Sequence, residues 1–313
     1  MSKKLIFSSA LALGCSGTLP DVASEVSRRA PERATTEPAG QVVAAALPSE
    51  APVTLFQARS EFNRITIQGE DDRRDLLFEP SLAIQSSVRL SQPLDLQLAY
   101  TRAAMVALAA HPNPTRVLVV GLGGGAMPMF LRAIAPKLSI HVVELDSLVV
   151  QVARAWMGFR EDERMVVYVG DGRRFIEKSD QRYDIIFLDA YGPSDIPVSL
   201  TTVQFLRSVC ARLSADGLVA GNVWSPTFNE LYDSMLRSYQ EAFGERMCVL
   251  DAEDSGNRIF LARGDGAAFD WPDVARRAQA LTKEKALPFD LGALAAPGCK
   301  QVLDIEAKPL WDE

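Results

Sequence analysis

One stretch of the chain restricts its fold more than any other: Arg116-Val-Leu-Val-Val-Gly-Leu-Gly-Gly-Gly-Ala126, followed by Val142-Val-Glu-Leu-Asp146. The first run has the pattern of a buried strand, a glycine-rich turn and the start of a helix, and the second that of a strand ending on carboxylates. Glycines let the backbone approach a ligand closely, and a helix start presents free N–H groups to it. Glu144 is spaced to accept hydrogen bonds from the two hydroxyls of a ribose. The pattern therefore predicts a nucleoside site.

The glycine spacing fits two kinds of ligand. Gly121 and Gly123, with Gly125 before Ala126, match the dinucleotide fingerprint as well as the looser glycine loop of methyltransferases. A nicotinamide-dependent oxidoreductase therefore stays open on this motif alone. We predict that the three glycines bind the cofactor in either case.

The order of the elements separates the two ligand families. Strand and helix patterns alternate, with helices expected over 94–110, 126–135, 147–156, 201–213 and 228–243, and strands over 117–120, 138–143, 165–169, 183–188 and 217–223. Two last strands, over 246–250 and 258–262, form a hairpin that puts an antiparallel strand into the sheet. Class I transferases that use S-adenosylmethionine (AdoMet) have this arrangement, whereas dinucleotide folds are usually all parallel.

Three consecutive strands of this sheet end in acids, Glu144, Asp171 and Asp189. Ligands bind at the carboxyl ends of the strands in open α/β sheets. We expect Glu144 to hold the ribose, Asp171 with Gly172 the adenine amino group, and Asp189 to face the reacting centre, where it accepts a proton. Asp146 and Asp171 also have the positions of helix N-caps, which is the alternative for each of them.

Composition excludes some functions. The formal net charge of −7 over 313 residues argues against a nucleic-acid surface. The two histidines and four cysteines have no metal-ligand spacing, so no metal is expected. Cys210 and Cys248 fall in apolar patterns typical of core thiols, and Cys299 in a loop, so no disulfide framework is predicted.

The N-terminus has the pattern of a short export signal. Lys3 and Lys4 precede an apolar stretch over 5–13, and Ala12-Leu13-Gly14-Cys15 is similar to the lipobox of bacterial lipoproteins, with Ala where Leu is usual. The sequence thus favours export and lipid anchoring in the bacterial envelope, with a cytoplasmic location as the alternative. The predicted organisation is a signal over 1–15, a disordered linker over 16–52, a β-module over 53–93, a transferase domain over 94–265 and an extension over 266–313.

Several motifs in order resemble spermidine synthase and its relatives: the block 111–121, the pair Glu144 and Asp146, Gly170-Asp-Gly172 and Tyr183-Asp-Ile-Ile-Phe-Leu-Asp189. The resemblance implies an α/β, class I AdoMet-methyltransferase-like (Rossmann-like) sheet of seven strands behind a small antiparallel β-module. It also implies a transferase with a small-molecule acceptor and AdoMet or decarboxylated AdoMet as co-substrate. Asp189 takes the role of proton acceptor. Members of the family are often dimers, so a homodimer is one expectation.

The departures from the family lie on the side of the amine. Its glycine loop usually has an Asp where this chain has Gly124, and its Tyr-His-Glu sequence is here Tyr100-Thr101-Arg102. A family Gln is replaced by Asn63, and 189–192 lacks a second Asp in the gate loop. A dicationic amine needs paired charges when it loses its water. These losses therefore favour intact AdoMet over the decarboxylated donor.

Four polar or aromatic residues are candidates for the acceptor pocket: Tyr100, Tyr191, Asn222 and Trp224. Packing is the alternative role for the aromatic ones. Two functions stay open beside the oxidoreductase: transfer of an aminopropyl or methyl group, and a membrane-anchored, non-catalytic nucleoside or polyamine binder. The export signal is the reason for considering the binder, because AdoMet is made in the cytosol and an exported enzyme would lack its donor.

Overall fold

The computed structural model describes residues 51–80, 83–190, 196–252, 256–303 and 305–313. The predicted signal over 1–15 and the linker up to residue 50 lie outside these residues, and so does Tyr191. Within the described residues, every helix is too short or too polar to cross a membrane. The described residues also hold no cluster of side chains able to bind a metal ion.

The β-module is a four-stranded antiparallel sheet in chain order. Its strands are β1 (Val53–Arg59), β2 (Arg64–Glu70), β3 (Arg73–Glu79) and β4 (Ile84–Arg89). Apolar side chains on one face, such as Ile65 and Leu76, are fully buried against Val149 and Val152 of the main domain. The sequence pattern did not predict β1, since its side chains are mostly exposed at the edge of the sheet.

The main sheet has seven strands in the order β10-β11-β9-β8-β5-β6-β7. They are β5 (Arg116–Val120), β6 (Ser139–Glu144), β7 (Met165–Val169), β8 (Tyr183–Leu188), β9 (Leu213–Trp224), β10 (Cys248–Asp251) and β11 (Asn257–Arg263). Strands β5 to β9 are parallel, and β11 runs antiparallel between β9 and β10. This confirms the predicted methyltransferase-like sheet and its antiparallel insertion.

Helices cover both faces of this sheet. They are α1 (Ala99–Ala104), α2 (Val106–Ala110), α3 (Ala126–Ile134), α4 (Ser147–Trp156), α5 (Gly172–Lys178), α6 (Val203–Ala211), α7 (Tyr232–Phe243), α8 (Trp271–Glu284) and α9 (Leu291–Ala295). Residues of α1, α2, α3, α8 and α9 bury one face, and residues of α5, α6 and α7 the other. Because both faces are covered, the parallel strands are continuous apolar runs.

Two predicted helices differ from the structure for local reasons. The helix expected over 94–110 is split at Met105, whose N–H bonds to the carbonyl of Arg102 three residues back. The helix expected from Phe228 begins at Tyr232, because the side-chain oxygen of Asn229 accepts a hydrogen bond from the N–H of Leu231 and forms a turn there. The predicted extension over 266–313 contains α8 and α9.

The prediction of a free Cys248 was wrong, because Cys248 and Cys299 form a disulfide across 51 positions of the chain. Backbone hydrogen bonds in both directions between Val249 and Lys300 bring the C-terminal segment beside β10, which leaves the two cysteine Cα atoms 5.5 Å apart. Such proximity is created by folding and cannot be read from spacing. Cys210 is a half-buried free thiol, and its Sγ lies 3.3 Å from the carbonyl oxygen of Gly264.

Candidate active site

A cavity of about 990 Å³ lies at the carboxyl edge of the main sheet. Residues after β5, β6 and β8 line it, and so do the end of β9 and the start of β11, because β11 runs in the opposite direction. Side chains from β4 of the β-module close another side. The predicted strand-end acids therefore line the cavity, at the edge of the sheet where ligands of such folds bind.

The glycine loop forms the floor of this cavity, and its geometry requires glycine. Gly121 has φ +100°, and a Cβ there would lie 2.2 Å from the backbone oxygen of Asp189. Gly123 has φ +53°, and Gly125, at φ +82°, is the N-cap of α3 against the ring of Phe159. The loop thus brings backbone close to the cavity and to the strand that carries Asp189.

Glu144 is half-buried at the end of β6, and two backbone N–H groups hold its carboxylate. Its Oε2 accepts from the N–H of Leu122 at 2.9 Å, and its Oε1 from the N–H of Asp146 at 2.9 Å. Burial raises the pKa of Glu144, while these backbone hydrogen bonds act in the opposite direction. Each carboxylate oxygen keeps a lone pair for a further donor, which suits the predicted ribose contact.

The two acids predicted as helix caps do cap helices. Asp171 accepts from the N–H of Arg174 at 2.7 Å, and Asp146 from the N–H of Leu148 at 2.9 Å. Asp171 and Gly172 also line the cavity beyond β7, so capping and an adenine contact are compatible there. Asp146 is further engaged by the β-module, through Ser60 and through Asn63 Nδ2 at 3.2 Å.

Asp189 follows β8 and is a half-buried residue of the cavity lining. Its Oδ1 accepts from Asn222 Nδ2 at 2.8 Å, and its Oδ2 from the hydroxyl of Tyr100 at 3.3 Å. Burial, aided by the charge of Glu144, raises the pKa of Asp189 to about 7 against the effect of these two hydrogen bonds. Burial and the Asp189 charge also raise the pKa of Tyr100 well above its usual value, so its hydroxyl remains a donor.

The predicted acceptor residues divide into three cases. Tyr100 and Asn222 hydrogen-bond to Asp189 directly, so both are closer to the proposed chemistry than the sequence indicated. Trp224 is half-buried at the end of β9 and lines the cavity. Tyr191 lies outside the described residues.

Sequence reasoning missed Ser86, Met157 and Asn257. A Cβ on Gly124 would meet Met157 Cε at 2.4 Å and Ser86 Oγ at 2.8 Å, so these two side chains occupy the space beside the loop. Asn257 Nδ2 donates to Asn222 Oδ1 at 2.9 Å. No local motif marks any of the three, because each is brought to the site by a different strand or helix.

The raised pKa of Asp189 predicts a stability gain in Asp189→Asn. In the folded protein the carboxyl ionises near pH 7 instead of near 3.8, so the folded state binds the proton more tightly and wild-type stability falls as pH rises between these values. The Asn side chain does not titrate. Its stability advantage should grow from pH 5 to pH 8, up to roughly 4 kcal/mol.

Thermal unfolding of both proteins across that pH range measures the effect. The difference in Tm between the variant and the wild type should widen by several degrees towards pH 8. A difference that is constant with pH would contradict the raised pKa.

Comparisons with known proteins agree with this geometry. A family model described as "Spermine/spermidine synthase domain" matches residues 98–250. The polyamine aminopropyltransferase of Vibrio vulnificus is 34% identical over 214 residues, covering 66% of this chain and 71% of that protein. The eEF1A lysine and N-terminal methyltransferase of Bos taurus is 35% identical over 156 residues, covering 45% of this chain and 22% of that protein.

A solved structure supports the fold. Human methyltransferase-like protein 13 in complex with SAH is 28% identical, with a TM-score of 0.55 over 61% of this chain and 94% of that one. Fold, cavity and sequence similarity thus lead to one assignment. The chain belongs to the spermine/spermidine synthase family of transferase enzymes.

Proposed function

We propose that the chain transfers an alkyl group, with methyl favoured over aminopropyl, from intact AdoMet to a nucleophile whose proton Asp189 accepts. One observation carries the choice of donor. At Gly124, where the family usually has an Asp, the side chains of Ser86 and Met157 fill the adjoining space. The amine of a decarboxylated donor would meet a hydroxyl and a thioether there instead of a carboxylate.

A guanidinium in the cavity supports the same choice. Arg102 lines the cavity and stands where the family usually has a Glu. Its Nη1 donates to the backbone carbonyl of Leu96 at 2.7 Å, which holds the side chain in place. Like charges repel strongly in a partly desolvated site, so a multiply charged amine is disfavoured as acceptor. The carboxylate of intact AdoMet meets no such repulsion from Arg102.

The chemistry requires one proton acceptor. The nucleophile forms a bond to the carbon attached to the sulfonium, the carbon–sulfur bond breaks, and its electron pair stays on sulfur as a neutral thioether. The proton of the nucleophile passes to Asp189. An ionised carboxylate of pKa about 7 is suited to this step near neutral pH.

The relatives leave both transferred groups open. One is named as a polyamine aminopropyltransferase and another as a lysine and N-terminal methyltransferase, at 34% and 35% identity. The solved methyltransferase-like protein contains SAH. Local residues at Gly124 and Arg102 therefore have to decide the donor, and both favour AdoMet.

The non-catalytic alternative fits the site less well. A protein that only binds its ligand gains nothing from a cavity carboxyl, such as Asp189, whose pKa is raised by burial. Strongly shifted groups in cavities are typical of catalytic sites. The nicotinamide alternative lacks support from the sheet, which has the antiparallel β11.

Calorimetric titration of the full chain with AdoMet, decarboxylated AdoMet and methylthioadenosine tests the donor. We expect AdoMet to bind at least about tenfold more tightly than the decarboxylated form, since about 1.4 kcal/mol separates affinities tenfold. The opposite order of the two affinities would indicate aminopropyl transfer instead of methyl transfer.

A matched pair of variants separates charge from size at the glycine loop. Gly124→Ala adds only a Cβ against Met157 and Ser86, so both sulfonium donors should weaken together. Gly124→Asp adds a carboxylate as well, which repels AdoMet and attracts the decarboxylated donor. If both variants changed the two affinities alike, Gly124 would have no role in donor choice.

A further inference from the structure

A line of hydrogen-bonded side chains runs from β11 to Asp189. Asn257 Nδ2 donates to Asn222 Oδ1 at 2.9 Å, and Asn222 Nδ2 donates to Asp189 Oδ1 at 2.8 Å. The strand register explains the line. Asn222 pairs with Ile259, so Asn257, two residues earlier, is its diagonal neighbour on the same face. Leu188 pairs with Gly221, which brings Asp189 beside Asn222.

This line has a direction. An Asn side chain has one accepting end and one donating end. Because Asn257 donates to the oxygen of Asn222, the amide nitrogen of Asn222 is the end that faces Asp189. An N–H donor stabilises a carboxylate in its ionised form, whereas a carbonyl in the same place stabilises the protonated acid. The orientation of one amide therefore decides which state of Asp189 is favoured.

One titratable group near Asp189, Tyr100, contributes in the same direction as Asn222, since its hydroxyl also donates to the carboxylate. Among the described residues, Tyr100 from α1 donates to it and Glu144 from β6 opposes its ionisation. Arg102, Asp146 and Asp171 line the same cavity. The Tyr100 bond is 3.3 Å long, against 2.8 Å for Asn222, so Asn222 is the closer donor.

We propose that Asn257 is a positioning residue that fixes the Asn222 amide with its nitrogen towards Asp189 and so keeps Asp189 able to accept the proton. The inference rests on the proposed function, because it takes Asp189 as the proton acceptor. It adds Asn257, which is not one of the strand-end acids, to the residues of the site. It also gives Asn222 the role of a hydrogen-bond donor to the Asp189 carboxylate, in place of the predicted contact with the acceptor.

Asn257→Asp tests the direction of the line. A carboxylate at this position accepts from the nitrogen of Asn222, so the Asn222 amide turns over and its carbonyl faces Asp189. The pKa of Asp189 should rise by about one unit or more, which reduces kcat/KM about fivefold or more at pH 7, because about half of the wild-type carboxyl is ionised there. Activity should return at higher pH. Asn257→Leu, without donor or charge, should shift the profile less.

Arg258→Gln is the matched control. Arg258 is the next residue on β11, and its Nε pairs with Asp251 at 2.7 Å on the other face. This variant also changes the charge of the strand by one unit, yet the pH profile should stay that of the wild type. An equal shift in the control would overturn the inference, because the effect would then be one of charge alone.

A direct titration separates this inference from the proposed function. The carboxyl carbon of Asp189, labelled with ¹³C in the full chain and assigned with Asp189→Asn, reports its pKa without substrate. A higher pKa in Asn257→Asp, together with a smaller rise in Asn257→Leu, which adds no charge, supports the inference, and an unchanged pKa in both variants overturns it. If that pKa rises while the pH profile of turnover does not move, Asp189 is not the proton acceptor and the proposed function fails.

Discussion

Asp189→Asn is expected to reduce turnover by about 10²–10⁴-fold. The amide that replaces the carboxylate cannot take the proton of the nucleophile. The new side chain has the same shape as Asp189 and keeps the contact with Asn222. Release of the demethylated or dealkylated donor, measured with AdoMet and an amine acceptor at pH 8, gives the rate. Near pH 8 the wild-type carboxyl, of pKa about 7, is ionised, so the contrast is largest there.

The control for this variant is a measurement of nucleoside binding on the donor side of the cavity. Glu144 and the glycine loop do not change, so methylthioadenosine should bind Asp189→Asn with an affinity close to that of the wild type. Loss of binding together with loss of turnover would mean that the cavity itself had been disturbed. Turnover equal to that of the wild type would remove Asp189 from the mechanism.

Glu144→Ala is expected to weaken nucleoside binding about 100-fold or more. A hydrogen bond to a charged group contributes about 1.5–3 kcal/mol, and the proposed ribose contact has two of them. The N–H groups of Leu122 and Asp146 also lose their acceptor, so the turn between β5 and α3 loosens. Calorimetry with methylthioadenosine measures the loss without any contribution from the sulfonium charge.

Two further variants make this result specific. Glu144→Gln keeps the shape of the side chain but turns an amide N–H towards one of the two backbone donors. Its affinity for methylthioadenosine should therefore lie between those of Glu144→Ala and the wild type. Glu241→Gln removes an acid on the surface of α7, where it pairs with Arg207 and Arg237, and should bind as the wild type does. Full affinity in Glu144→Ala would exclude the ribose contact.

The parts of the site that the sequence predicted are local in the chain. The glycine loop, Glu144 and Asp189 each follow a buried strand within a few residues, and the parallel order of those strands brings them to one edge. The rules that connect strand, turn and helix act over such short distances. They sufficed for the main sheet and for the prediction that Gly121, Glu144 and Asp189 lie together, which the cavity lining bears out.

The parts that it did not predict depend on contacts between distant segments. Ser86 and Asn257 reach the cavity from β4 and β11, and Met157 packs beside Gly124 from the end of α4. The exposed edge strand β1 has too few buried side chains to give a clear alternation. The export signal, the linker and Tyr191 lie outside the described residues and stay predictions.

The disulfide between Cys248 and Cys299 closes a covalent ring of the chain, and this ring includes β11 with Asn257. A ring of this length, 51 positions, limits the unfolded chain by an entropy worth about 4 kcal/mol in the loop-closure description. A reductant that opens the ring would therefore lower the stability of the fold by about that amount, because the unfolded chain regains this entropy. The stability of the fold that surrounds the cavity thereby depends on the thiol–disulfide state of the surroundings.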